Sequence, residues 1–264
     1  MSGSAPWRLS DLLWEHLTEA GRDVFDAGRH EEAGALWRAA VELAQGFGSD
    51  DPRRAAGLHN QAAAARSVGD AREAEALYRE ALAAWDLSPR WVERMDPGQR
   101  ARSSLFHLRL EQKYRDWYRA LALKEAQRLA DAGRGATLNN LGELFHGAGK
   151  AKEAEDLYRE ALKAREGALG PRDEGLVVIL NNLRGALAET GSHEEVPALS
   201  ARIQRLAAAA PSSPRARWAR ERGAGFTDLR KLLAAALLTP LVSHPGPGGG
   251  DVRAPAPSAA PDTP

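Results

Sequence analysis

Residues 73–84 read Glu-Ala-Glu-Ala-Leu-Tyr-Arg-Glu-Ala-Leu-Ala-Ala, and residues 153–164 read Glu-Ala-Glu-Asp-Leu-Tyr-Arg-Glu-Ala-Leu-Lys-Ala. Ten of the twelve positions coincide at an offset of 80. A shorter echo, Leu-Asn-Asn-Leu, occurs at 138–141 and again at 180–183, an offset of 42. Periods of about 20 to 50 residues mark stacked supersecondary units, and 80 is close to two units of about 40.

Glycine fixes the register. Gly28, Gly69, Gly149 and Gly191 each close one apolar-periodic helix and precede a second. Five residues on stand Ala33, Ala74, Ala154 and Val196, nine on stand Trp37, Tyr78, Tyr158 and Ser200, and twelve on stand Ala40, Ala81, Ala161 and Ile203. Each unit is therefore predicted to be a helical hairpin. Its glycine takes the left-handed conformation that ends the first helix, its small residues allow close approach, and its aromatic fills the gap beside them. Leu138, Leu141 and Phe145, then Leu180, Leu183 and Leu187, give the matching apolar stripe on the first helix.

These residues resemble the tetratricopeptide repeat (TPR) family, and more narrowly its kinesin-light-chain-like form with repeats of 42 residues. Leu138-Asn139-Asn140-Leu141-Gly142, Gly149-Lys150, Glu153-Ala154-Glu155-Asp156-Leu157-Tyr158, Ala164-Arg165-Glu166 and Leu169-Gly170 carry the resemblance, which covers roughly residues 14–207. It implies an all-α, right-handed α-solenoid of about five helix-turn-helix repeats that works as a non-enzymatic protein-binding scaffold. The last unit departs from the pattern, with Val196, Ser200 and Pro197 in its second helix, and reads as a loosened terminal unit.

Between Trp85 and Gly133 the spacing asks for one more unit, but the small-residue signature is eroded. Asp96-Pro97 is a good helix start. No Gly or Pro then occurs from Gln99 to Ala132. Either a degenerate hairpin turns near Tyr114–Tyr118 or one long helix runs through. The need of a solenoid to stack each unit on its neighbours favours the hairpin.

The organisation expected is a solenoid over 1–210, a basic linker and capping helix over 211–242, and a disordered Pro/Gly/Ala-rich tail over 243–264. Ser10 is placed to cap the first helix. The apolar run from Leu232 to Val242, about eleven residues, is too short for a membrane span, which needs about 20. Its arginine-rich approach (215–231) suits a cap on the exposed solenoid end, with a membrane-surface anchor as the weaker alternative.

Composition narrows the function classes. The chain has 36 Lys+Arg against 36 Asp+Glu, so no general attraction to nucleic acid is expected. It has no Cys, which excludes thiolate metal sites, disulfides and cysteine nucleophiles. No basic segment followed by an apolar core opens the sequence, so a soluble cytoplasmic protein is expected. His16, His30, His59, His107, His146, His193 and His244 form no pair at metal-binding spacing, and no Gly-x-Ser-x-Gly elbow occurs. Gly147-Ala148-Gly149-Lys150 superficially suggests a phosphate loop, but Leu144 and Ala151 break the required spacing. No catalytic residue, metal or cofactor is expected.

The stronger signal is a row of amides. Asn60, Asn140 and Asn182 share one position relative to the register glycines, and His59, Asn139 and Asn181 precede them by one. In the resembling family this helix lines the concave groove. Asparagine is a mediocre helix former, so its recurrence in mid-helix asks for a reason. A carboxamide can donate and accept at once, which would let the row hold the backbone of an extended peptide. Arg22, Phe25, Ala63, Arg66, Glu143 and His146 on the same face would set selectivity. The competing use of the amides is to tie one repeat to the next. A further alternative makes the chain an assembly subunit, with Trp85, Trp91 and Trp117 as an apolar contact patch. The oligomeric state is not legible.

Overall fold

The computed structural model describes residues 9–94 and 112–208, together with Leu241. The expected helix start at Asp96-Pro97, the basic run, the capping helix and the tail lie outside the described residues. The chain is an all-α repeat structure. Its elements are α1 (Leu9–Asp26), α2 (His30–Ala44), α3 (Pro52–Ser67), α4 (Ala71–Arg94), α5 (Gln112–Gly147), α6 (Ala151–Leu169), α7 (Gly175–Thr190) and α8 (Val196–Ala208), with a 3-10 turn at His193–Glu195 before α8.

The register glycines act as the sequence suggests. Gly28, Gly69, Gly149 and Gly191 have φ of 80°, 93°, 75° and 82°. At each one the following residue's N–H reaches back to a carbonyl five residues earlier: Arg29 to Val24, Asp70 to Ala65, Lys150 to Phe145 and Ser192 to Leu187, at 2.9–3.0 Å. This is the Schellman arrangement, which satisfies carbonyls that the helix end would leave bare. The small and aromatic signature residues then form the centre of each hairpin. Ala33, Ala74, Ala154, Trp37, Tyr78, Tyr158, Ala40, Ala81 and Ala161 are all 0% exposed. Close approach is enforced by glycine where the aromatic ring lies: a Cβ on Gly142 would stand 2.8 Å from the Tyr158 ring.

The degenerate hairpin expected between Trp85 and Gly133 does not turn where the sequence reading places it. No turn occurs at Tyr114–Tyr118, because α5 runs unbroken for 36 residues, about 54 Å at 1.5 Å per residue. The sequence supplies no residue there that leaves a helix, so nothing ends it. Among the described residues, no fifth unit stands between the second and third hairpins. α3 meets α5 directly through His59 and Thr137 and through Arg66 and Glu143. Trp85 seals the joint: a Cβ on Gly133 would stand 2.3 Å from its ring. Four hairpins therefore stack among the described residues, namely α1–α2, α3–α4, the C-terminal half of α5 with α6, and α7–α8. The 80-residue offset reflects an insertion between neighbours rather than an intervening unit.

Two smaller expectations also change. α1 already includes Leu9, so Ser10 lies inside the helix instead of capping it. Pro197 stands in the first turn of α8, where a missing N–H leaves no helical hydrogen bond unmade. α8 is a weakly held end: Ile203 is its one buried residue.

Candidate functional site

The first helices of the hairpins (α1, α3, the second half of α5, and α7) carry every groove residue that the sequence singles out. Asn60, Asn139, Asn140 and His59 are 0% exposed and Asn182 is 2% exposed. The amides bond to one another. Asn182 Nδ2 donates to Asn139 Oδ1 at 3.0 Å, and Asn139 Nδ2 donates to Asn140 Oδ1 at 3.0 Å. Asn140 Nδ2 lies 3.3 Å from both His59 Nε2 and the Tyr78 hydroxyl. His59 Nδ1 in turn lies 2.9 Å from Thr137 Oγ1.

The direction of this chain follows from valence. An amide N–H aimed at Nε2 requires that nitrogen to accept, so His59 is neutral with its proton on Nδ1, and Thr137 Oγ1 accepts from it. Thr137 Oγ1 also accepts from Trp85 Nε1 at 3.1 Å and donates to the Gly133 carbonyl at 3.1 Å. Polar groups on α7, α5 and α3 are thus joined in one buried run. Burial pushes the Tyr78 phenol well above its ordinary range, with the Asn140 hydrogen bond pulling the other way. Burial likewise raises the Tyr158 phenol.

The expectation that Asn139, Asn140, Asn182 and His59 stand in an open groove is therefore corrected: they are sealed between layers and tie repeats together. Small residues keep the first helices close enough for the carboxamides to reach across: Ala62 of α3 shares a cluster with Leu141 of α5, and a Cβ on Gly185 of α7 would stand 3.3 Å from the His146 ring of α5. Asn181 is half-buried, and its Nδ2 turns back to the Val177 carbonyl at 2.9 Å. Asn60 is the exception in the row. By register its counterpart on α1 is Thr18, as Asn139 is for Asn182 and His59 for Asn140. Yet neither amide atom of Asn60 nor Thr18 Oγ1 has a hydrogen-bond partner, although both residues are 0% exposed.

The charged candidates form a second set of ties. Arg66 pairs with the buried Glu143 across α3 and α5. His146 Nε2 lies 3.1 Å from Glu189 Oε1 on α7, with its ring edge-on to Tyr158 at 6.1 Å. Arg22 is not brought to this group. It pairs with Asp26 of its own helix at 2.9 Å and stays partly exposed. Phe25, half-buried, lies 5.2 Å from the Trp37 ring.

Several working residues escaped the sequence reading. Thr137, just before the Leu-Asn-Asn-Leu echo, is a β-branched hydroxyl in mid-helix, and that oddity was the available signal. At the α1–α3 joint, Arg53 pairs with Asp11 and, at 2.6 Å, with Asp51, over the Phe47 ring at 3.6 Å. Burial works against the Arg53 charge, but Asp51 and Asp11 outweigh it and hold the guanidinium above its ordinary pKa. Two tryptophans of the assembly alternative's patch pack on a core cluster instead. Trp85 is 2% exposed and Trp91 packs half-buried on the same cluster, while the Trp117 side chain lies outside the described residues. Among the described residues, no group of three or more His, Asp or Glu could hold a metal ion, and no helix is long and apolar enough to cross a membrane.

The family comparison agrees with this layout. A tetratricopeptide repeat family profile matches residues 15–86 and 117–196, more than half of the chain, and the break between its two stretches falls on the insertion. Two solved structures of TPR-like repeats of a putative kinesin light chain from Podosopora anserina, one a point variant, are among the matches. They are 19% and 20% identical, with TM-scores of 0.34 and 0.33, covering 76% of this chain and 97% and 98% of theirs. No curated protein matches the sequence. With its glycine register, its alanine and aromatic centres and its matched stretches in hand, the chain belongs to the tetratricopeptide repeat family.

Proposed function

We propose that this protein is a non-enzymatic interaction scaffold that holds an extended peptide or protein segment along the face of its first helices. TPR repeats generally mediate protein–protein interaction, and the family's members are typically scaffolds. The observation that carries the reading is the pair of ties beneath that face. Amide and charge contacts lock α3, α5 and α7 side by side, so little ordering remains to be done when a partner binds. The contact residues are those left accessible above the sealed floor: Arg22, Phe25, Arg66 and Asn181, all partly exposed. Asn140 and Asn182 are floor, not contact. Selectivity then comes from few, mixed groups, and affinity from many small contacts.

The test is affinity capture with the full chain beside an Arg22→Glu, Asn181→Ala variant. Partner recovery should fall at least tenfold while helicity and melting stay unchanged. Recovery at the wild-type level would overturn the proposal.

A second reading, an assembly subunit joined end to end, is favoured by one observation. Leu9, Leu12 and Leu13 on α1 are 81%, 47% and 42% exposed. Light scattering separates the two, since Leu12→Glu with Leu13→Glu should dissolve any oligomer, and a monomer at all concentrations removes this reading.

A further inference from the structure

The second helices carry leucines that only partly enter the hairpin cores. Leu77 and Leu82 on α4, and Leu157 and Leu162 on α6, stand eight and thirteen residues after their register glycines and are half-buried. Leu82, Leu157 and Leu162 border a cluster floored by Leu138, Ala161 and Ile179, where α4, α5, α6 and α7 come together. One further side chain packs on that cluster: Leu241. It comes from far along the chain, with residues 209–240 between it and the end of α8. Thirty-two residues can span roughly 100 Å when extended, so reach is no obstacle.

We infer that the α4–α7 junction is a docking surface for a short leucine-bearing apolar segment, and that its resident occupant is this chain's own segment ending at Leu241–Val242. The chemistry matches. Leu232–Val242 holds five leucines and no charge, and the surface it meets is leucine, isoleucine and alanine. The inference does not rest on the contact residues proposed above, because its surface is the apolar cluster of Leu138, Ala161 and Ile179 with the second-helix leucines around it, and its ligand chemistry is different. It also gives the C-terminal segment a place at mid-stack, where a partner bearing a similar segment has to displace it.

The absence of cysteine makes the test clean. A nitroxide attached at Ser243→Cys in the full chain should broaden the methyl signals of Leu82, Leu157 and Leu162, and Leu241→Asp in that background should abolish the broadening. Mixing spin-labelled chain with isotope-labelled, spin-free chain should give none, because the contact is within one molecule. A synthetic peptide of residues 228–243 should then shift the same methyls in the Leu241→Asp chain. It should bind the wild type at least about tenfold more weakly, since a tethered competitor acts at roughly millimolar effective concentration. Three results overturn the inference: no broadening, broadening that appears in the mixed sample and so marks a second copy as the occupant, or equal peptide affinity for the two chains.

Discussion

The α1–α3 joint and the α3–α5 joint bring together the same kinds of helix at the same register, yet they bury different polar chemistry. At the first, Arg53 stands between Asp11 and Asp51 while the amide position is idle, with Asn60 and Thr18 buried and unpartnered. At the second, the amide position is the joint itself: Asn140 meets His59 and Tyr78, and His59 meets Thr137. A repeat register fixes where side chains stand. It does not fix which of them hold the stack, and that choice depends on what each neighbour offers.

The contrast gives its largest effect at Arg53. Removing one partner from a buried ion group leaves the other charges uncompensated, which costs about 3–5 kcal/mol. Arg53→Met should therefore lower the melting temperature by roughly 6–20 °C, at about 2–4 °C per kcal/mol for a chain of this size. Calorimetry checks it, and a loss under about 1 kcal/mol would mean that the ionic joint is dispensable.

At the second joint the expected effect is smaller and of another kind. Asn140→Leu removes the hydrogen-bonding partner of His59, Tyr78 and Asn139 within a sealed site. Each stranded buried group costs about 1–3 kcal/mol, partly offset by the added apolar side chain. A net loss of about 2–3 kcal/mol is expected, independent of ionic strength. Strong salt dependence in urea titrations would show that the Arg66–Glu143 pair holds this joint instead.

The far end of the stack depends on pH. Burial raises the Glu155 carboxyl, but hydrogen bonds from Lys152, Arg159 and Thr190 outweigh it and hold it below the usual glutamate range. Arg159 also draws Glu195, just before α8, downward. A carboxyl whose folded pKa is depressed contributes stability above its ordinary value, near about 4.3, and loses it as pH falls through the depressed value. The stability difference between wild type and Glu155→Gln should be present at pH 7 and vanish once the pH has fallen below that depressed value. A difference that does not change with pH would break the assignment.

How much of this was written in the sequence differs between hairpin and stack. The four glycine exits and the nine fully buried signature positions were legible, because a left-handed exit and a ring packed on a methyl or glycine tolerate few residue types. The number of stacked units was not. Sequence spacing measures chain length, and 80 residues serve equally for two units or for one joint with an insertion. Energetics does little to choose between them. His59 and Asn140 are 81 residues apart and Asn139 and Asn182 are 43 apart, and doubling a loop costs only about 0.6 kcal/mol. The use of the amides was legible as a recurrence but not as a destination. Whether a carboxamide meets solvent or its neighbour depends on interhelical distance, and small residues such as Ala62 and Gly185 set that distance here.

Asn60 gives the smallest and most discriminating effect. If its amide is idle, Asn60→Leu removes two buried polar atoms that have no partner and fills similar space with apolar atoms. The substitution should be neutral within about 0.5 kcal/mol or slightly stabilising, since what is lost is a desolvated group and not a bond. The same change at Asn140 strands three groups. A cycle of Asn60→Leu, Thr18→Val and the double variant separates the possibilities. Idle partners should give no coupling energy, whereas coupling of about 1 kcal/mol or more would mean that Thr18 and Asn60 are joined, and that the first joint shares the amide chemistry of the second.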